Sequence, residues 1–322
     1  MLALSIAQFI VTLFLAVRWE EWSTFGRVAS FLCITAMTVY NIIVVSHLFT
    51  HTHWFNSPLL NALVSMFNSV NIGQSIQAYE LTHVRNHHRY NNDRKGPDGK
   101  TKDASSTYRD GTGDEHVGAL RYAVFGAAES LLSIGRALLG VTRLWRVGEH
   151  EQELLFLASK TPARQARELR QIQLDRMVQF LAIGLFLAIS WKWFLLCYLP
   201  AFFVSLALVN VQNYYEHYGA LPESTYANSV SYYGRVYNFL TFNDGYHQEH
   251  HLRPLTHWIQ MPKVREECGA KLNAVERIVS PVPALLGAFH RKRKQLHHQR
   301  AVTVVTITVA QETTTFSKAA GQ

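Results

Sequence analysis

The sequence predicts an all-α integral membrane protein, with about four transmembrane helices in two hairpins, interfacial helices and a cytoplasmic histidine-rich cap. Three observations predict it. Several apolar runs approach or exceed the length that crosses a bilayer as a helix. Hydrophobic residues make up 48% of the 322-residue chain and charged residues only 17%. Most of the sixteen histidines fall in clusters, and these sit at or between the ends of the apolar runs.

The first run, 2–17, superficially resembles a signal peptide. No basic residue precedes it, and Arg18, Trp19, Glu20, Glu21 and Trp22 are not a small-residue cleavage site. It reads as a short spanning helix with tryptophan anchors at its end. The run 28–45 is long enough to span, and the two make a hairpin. Ser57 followed by Pro58 marks a helix start, a capping hydroxyl before proline at the first helical position. The helix expected from there to about residue 79 is apolar but interrupted by Asn61, Asn68, Asn71, Gln74 and Gln77. It lies between histidines at 47 and at 83. A single crossing would put these on opposite sides of the membrane, and the segment is too short to cross and return. It is therefore expected in the interface or packed against the bundle.

Residues 89–117 are polar and read as a loop. Residues 118–140 read as an interfacial helix, and 151–176 as a charged surface helix. A second hairpin is expected over 177–211, turning near Trp191, Lys192 and Trp193. Sixteen Lys or Arg lie from His83 to Arg176, and few at the outer turns. By the positive-inside rule the middle region and its histidines are cytoplasmic, at the inner membrane if the cell is bacterial. The net charge of +8 thus points to a membrane surface and not to nucleic acid. The basic stretch at 290–294 reads as a further solvated or lipid-facing surface. Cys33, Cys197 and Cys268 are far apart, match no metal-ligand spacing and read as unpaired packing residues of a reducing compartment. Residues 1–300 form one membrane-embedded domain in this reading, and 301–322 a poorly ordered tail.

The histidines form four groups: His47 with His51; His83 with His87 and His88; Asn213 with His217; and His247 with His250 and His251. Residues four apart on a helix share a face, so 47 and 51, 83 and 87, 213 and 217, and 247 and 251 are expected to converge in pairs. Nine imidazoles exceed the needs of one ion and suffice for two with open positions. Imidazole suits iron, copper, nickel and zinc. Glu80, Asp93, Glu216, Asp244 and Glu249 lie beside the histidines and are expected to balance the charge and orient the rings. His53 and His257 read as packing or surface residues; His116, His150, His290, His297 and His298 read as ordinary.

Other metal classes fit less well. A zinc protease needs HExxH, which this chain lacks. A haem protein needs axial histidines facing across the bundle interior. A transporter would place its ligands near the bilayer midplane.

Taken together, HxxxH at 47–51, HxxxHH at 83–88 and HxxHH at 247–251 resemble the three histidine boxes of the integral-membrane fatty acid desaturase and alkane hydroxylase superfamily. Asn213 and His217 resemble its fourth ligand segment. The resemblance covers roughly residues 28–260. It implies two iron ions cycling between Fe2+ and Fe3+, with O2 as co-substrate. The ligands it implies are His47, His51, His83, His87, His88, His217, His247, His250 and His251, with Asn213 acting through water or orienting a ligand. It also implies a lipid or acyl-chain substrate and a separate electron donor of the ferredoxin, rubredoxin or cytochrome b5 type. No haem or flavin domain is read in the chain. Residues 213–219 look like an alkane hydroxylase, whereas 243–254 and 87–92 look like bacterial acyl-chain desaturases; the loop 103–107 has analogues in both. The reading favours insertion of a double bond into an aliphatic chain. The alternatives on the same scaffold are hydroxylation and oxidative decarboxylation to a terminal alkene. Arg85, Arg89, Arg94 and Lys95 surround the expected metal face as candidates for docking a donor or a head group.

Overall fold

The computed structural model describes residues 1–141 and 149–296. Its regular structure is helical, and an isolated bridge between Ser231 and Val279 is the one β pairing among the described residues. Helices α1 (Leu2–Arg18) and α2 (Thr24–Tyr40) form the first hairpin; the Ser23 hydroxyl caps α2 by accepting from the Gly26 N–H. Beyond Tyr40 the chain stays helical through a π-helical segment, Asn41–Ser46, into α3 (His47–His51). One continuous rod thus carries the first histidine group at its end.

The next segment starts as expected: Ser57 caps α4 (Pro58–Ile72), with proline in its first turn. The single helix expected to residue 79 does not form. α4 stops at Gly73, which adopts φ +66°, and α5 (Ile76–Thr82) begins under a new cap at Ser75. The chain turns back here, which keeps His51 and His83 together, their rings 4.9 Å apart. The polar residues that interrupt the run explain how an apolar bundle accepts such a turn. Asn71 donates to the Ser5 carbonyl, and Gln8 donates to the Asn71 carbonyl. Gln179 donates to the Gly73 carbonyl, and Asp175 accepts from Ser65, Ser75 and the Gln77 N–H. Every one of these groups would otherwise be a costly unpaired dipole.

A π-helical segment, His83–His87, leads into α6 (His88–Tyr90) and then a long polar loop. α7 (Ala119–Val141) follows; α8 (Glu149–Leu157) precedes the long α9 (Pro162–Trp193). α7 occupies the stretch expected as an interfacial helix. It is long and apolar enough to cross a membrane. It lies along α10 (Leu199–His217), with Ala123 and Ala127 buried in the contact. Asn210 donates to the Ala123 carbonyl, and a Cβ on Gly126 would stand 2.8 Å from the Asn210 amide. Small residues let the two helices approach.

The second hairpin turns at Ser190, just before the expected tryptophans. Ser190 leaves helical geometry (φ −158°, ψ 100°), and its hydroxyl accepts from the Trp193 N–H as a new N-cap. Gln179 and Phe202, nearly equidistant from Ser190 in sequence, both reach Gly73, so the chain has reversed. Ser190 and Lys192 bind Glu20, joining the two hairpin turns at the end away from the histidines. The described residues hold four helical stretches long and apolar enough to span, 2–21, 24–51, 119–140 and 162–217, the last folded back at Ser190. Their outer faces expose large apolar side chains, Val17 (60%), Leu181 (65%) and Leu196 (66%) among them, as a lipid-facing surface does.

After α10 the chain caps the histidine end with α11 (Arg235–Leu240), α12 (His247–Leu252) and α13 (Met261–Asn273). The three cysteines are unpaired, Cys197 and Cys268 being buried. His297, His298 and the tail 301–322 lie outside the described residues.

Candidate metal centre

The nine histidines converge at one end of the bundle in two groups. His47, His51, His83, His88 and His250 form one; His87, His217, His247 and His251 form the other. Within each group the nearest ring nitrogens all lie within 4.8 Å of one another.

The grouping departs from the expected pairing in one place. His83 and His87, four apart, fall into different groups. The cause is the π-helical backbone across His83–His87, which widens the turn so that residues five apart share a face. His88 accordingly meets His83, Nε2 to Nε2 at 3.1 Å. The other two histidine pairs behave as ordinary helix neighbours: His47 and His51 share one group, and His247 and His251 the other.

The surroundings decide which nitrogens are free. His87 Nδ1–H donates to Asp103 Oδ2 (2.8 Å), and His217 Nδ1–H to the Asn228 carbonyl (3.2 Å). Each ring is thereby fixed with its lone pair on Nε2, yet the two Nε2 atoms face each other at 3.1 Å. His251 Nδ1–H donates to Asn91 Oδ1 (2.9 Å), leaving a buried Nε2 without a partner. In the other group His47 Nδ1–H donates to the Ile43 carbonyl (3.0 Å), which leaves the lone pair on Nε2, facing His250 Nε2 at 3.2 Å. Both nitrogens of His51, and Nδ1 of His88 and His247, are also buried and unpartnered.

Facing lone pairs repel unless a cation lies between them, and a proton is a poor candidate. Burial, and then the neighbouring imidazoles, hold His83, His88, His247, His250 and His251 well below the usual histidine pKa. Neutral, oriented, converging imidazoles are the donor set of a metal ion.

The expected carboxylates divide. Asp244 stands 3.6 Å from His47 Nδ1, and Glu216 3.7 Å from His247 Nδ1. Gln212 bridges them, donating to Glu216 Oε1 (2.6 Å) and towards Asp244 Oδ2 (3.3 Å). Asp93 touches no ring; it accepts from the backbone N–H groups of Lys102 and Asp103 and so secures the Asp103 loop. Glu80 pairs with His53 at 3.4 Å. Glu249 accepts from Ser231 and Tyr233 and braces α12 from behind. His257 stacks on Trp258, and His116 stacks on Tyr108 while binding Thr107 and the Gly219 N–H.

Asp103 and Asn91 are the orienting groups that sequence spacing did not single out. Asp103 is fully buried and accepts from His87, the Asn92 N–H, and both the N–H and the hydroxyl of Ser105. Burial alone would raise its pKa; His87 and these hydrogen bonds outweigh it and bring it down to about 2. Asn91 and Asn92 take left-handed φ of 51° and 61°. An Asn-Asn pair separated by two residues from a histidine box is the signal that marks this turn.

Beside the histidines lies a cavity of about 190 Å³. Ile42, Ile43, Tyr79 and Val209 give it apolar lining, and His47, His83, His87 and His247 line it as well. Asn213 lines it too.

The family model of the fatty acid desaturases matches residues 23–281. The chain belongs to the fatty acid desaturase family. The match spans α2 through α13 and contains every histidine of both groups. With its family and its long apolar helices, this desaturase-family chain is a fatty-acid-modifying oxidoreductase of the membrane, and its histidine boxes are the metal-binding candidates. No curated protein and no solved structure matches the chain at a significant level.

Proposed function

We propose that the protein is an O2-dependent di-iron desaturase that introduces a double bond into an aliphatic acyl chain. The observation that carries the reading is the shared cavity: apolar side chains suited to methylene groups line it together with histidines of both groups. Two bound irons would supply the O2 chemistry. In the balanced reaction two C–H bonds give two electrons and two protons, a donor gives two electrons, solvent gives two protons, and O2 leaves as two waters.

The chain's own part is to hold and orient. His47, His51, His83, His88 and His250 would bind one iron, and His87, His217, His247 and His251 the other. Asn213 would face the metals through water or orient a ligand. Asp103, Asn91, Asn228 and Ile43 keep the rings in the binding tautomer. Ile42, Ile43 and Val209 would register the chain, because an error of one methylene changes the carbon presented. The histidine face would be cytoplasmic, where a separate ferredoxin, rubredoxin or cytochrome b5 type protein could deliver electrons. Of the basic residues considered for docking it, Arg85 is tied to Glu168, Arg94 to Asp114 and Glu223, and Lys95 to the Gly111 carbonyl. Arg89 is exposed and remains the best candidate.

Product analysis tests the proposal. Cells with a general electron donor would be fed deuterated fatty acids and alkanes under ¹⁸O2. A double bond with loss of two deuteriums supports desaturation. A product alcohol carrying ¹⁸O, or a terminal alkene one carbon shorter, would replace that reading with hydroxylation or decarboxylation.

A further inference from the structure

Asn213 sits on α10 one turn before His217, with its side chain on the wall of the metal cavity. Its amide has two N–H donors and one oxygen. The structure uses both donors on Tyr122 and Ser105. Nδ2 donates to the Tyr122 hydroxyl at 2.5 Å and to the Ser105 carbonyl at 3.3 Å. The Tyr122 hydroxyl in turn donates to the same carbonyl at 2.6 Å.

This triangle fixes which way the amide points. Turned over, Asn213 would set its oxygen against the Ser105 carbonyl, acceptor against acceptor. It would also have to draw the Tyr122 proton away from that carbonyl. Both changes leave acceptors unpaired in a part-buried site, so Oδ1 is the atom directed to the cavity. Tyr122 comes from α7 and Ser105 from the loop that carries Asp103. Ser105 also reaches the second histidine group directly, its hydroxyl lying 3.1 Å from His87 Nδ1.

We infer that Tyr122 is a positioning residue of the oxidation centre: its hydroxyl, with the Ser105 carbonyl, holds Asn213 so that the amide oxygen faces the metal site. This rests on the proposed role of Asn213 towards the metals. Tyr122 itself need touch neither metal nor substrate. It assigns α7 a task beyond packing, since a phenol from that helix sets the orientation of a side chain on α10.

The test uses the full chain in lipid nanodiscs, loaded with ⁵⁷Fe(II), and compares wild type with Tyr122→Phe, Asn213→Ala and the double variant. Iron content and Mössbauer spectra are read beside kcat and KM. Tyr122→Phe is expected to keep the iron content and KM, to alter the quadrupole doublet of one iron, and to lower kcat by roughly tenfold, the worth of one buried hydrogen bond. Asn213→Ala should alter the same doublet, and the double variant should go no further than Asn213→Ala. Installing 3-fluorotyrosine at 122, which keeps the hydroxyl, should restore the wild-type spectrum; it also separates lost orientation from a folding defect in Tyr122→Phe. A spectrum unchanged in Tyr122→Phe but altered in Asn213→Ala overturns the role of Tyr122 alone. A spectrum unchanged in Asn213→Ala overturns the metal-facing role of Asn213 and the inference with it.

Discussion

Replacing Asp103 with asparagine changes one atom at the most tightly bound carboxylate of the site. Its two oxygens accept four bonds of 2.7–2.8 Å, and every donor is fixed or nearly so. Oδ2 serves His87 Nδ1–H and the Asn92 N–H; Oδ1 serves the Ser105 N–H and hydroxyl. An amide NH2 in either position meets a backbone N–H, donor against donor, at a cost of about 1–3 kcal/mol. Facing His87, it would also favour the other tautomer and place a hydrogen on Nε2, the atom aimed at His217. Groups that orient a metal-bound histidine are worth about 10–100-fold in affinity, or ~1.4–2.8 kcal/mol. Asp103→Asn should therefore lose the second metal equivalent first, in a chelator competition in nanodiscs. It should also melt at a lower temperature without metal. The pH dependence gives an independent check. Asp103 lies below its unfolded value of 3.8, at about 2. Its contribution, on the order of 2 kcal/mol, is complete above the unfolded value and is lost as pH falls through the folded one. The variant should lack that acid limb. Two metal equivalents bound with wild-type affinity, at an unchanged melting temperature, would refute the argument.

Other perturbations separate further causes. Asn91→Gly keeps the left-handed backbone but removes the acceptor of His251 Nδ1–H, so it should weaken metal binding by about tenfold with little loss of fold; Asn91→Ala should add backbone strain, visible as a lower melting temperature. Gly73→Ala puts a Cβ 2.5 Å from the Phe202 ring at φ +66°. Strain of about 1 kcal/mol and overpacking of about 1–3 kcal/mol should lower thermal stability, and Phe202→Ala in the same chain should restore part of it. His83, His88, His247, His250 and His251 have depressed folded pKa values, so their contribution to stability is whole above the unfolded value of 6.5 and shrinks as pH falls below it. Metal retention and melting temperature should be flat from pH 7 to 8.5 and fall together in acid; a decline on the alkaline side would contradict this.

Local spacing carried much of the site. His47 and His51, and His247 and His251, meet because an α-helix repeats every 3.6 residues. His83 and His87 stack at 5.3 Å yet serve different groups, because the backbone there is π-helical, and a spacing argument assumes the helix type it relies on. Adjacency in sequence was a weaker guide for the carboxylates: Glu249 lies beside His250 but turns to Ser231 and Tyr233. Asp103 reaches His87 from a loop sixteen residues on, a contact made by tertiary folding and marked by no periodicity. The helix after Ser57 was legible at its start, where the cap is local. Its break at Gly73 depends on partners from α1 and α9. α7 reads as amphipathic by itself; its small residues matter only once Asn210 is opposite.

The turn at Gly73 also bears on how the chain is assembled. A hydropathy reader would thread the stretch around it across the bilayer, leaving the two halves of the metal centre on opposite faces. Two early partners oppose this, for Ser5 and Gln8 are synthesised before the turn and can bind Asn71 at once. The partners on α9 arrive late. Asp175 and Gln179 follow the turn by about a hundred residues, several seconds or more at ordinary rates of synthesis. In that interval the Gly73 carbonyl and the start of α5 lack their α9 partners, and the nascent hairpin depends on α1 to keep its topology. Substitutions at Gln8 should therefore act on the yield of correctly inserted protein more than on the finished enzyme.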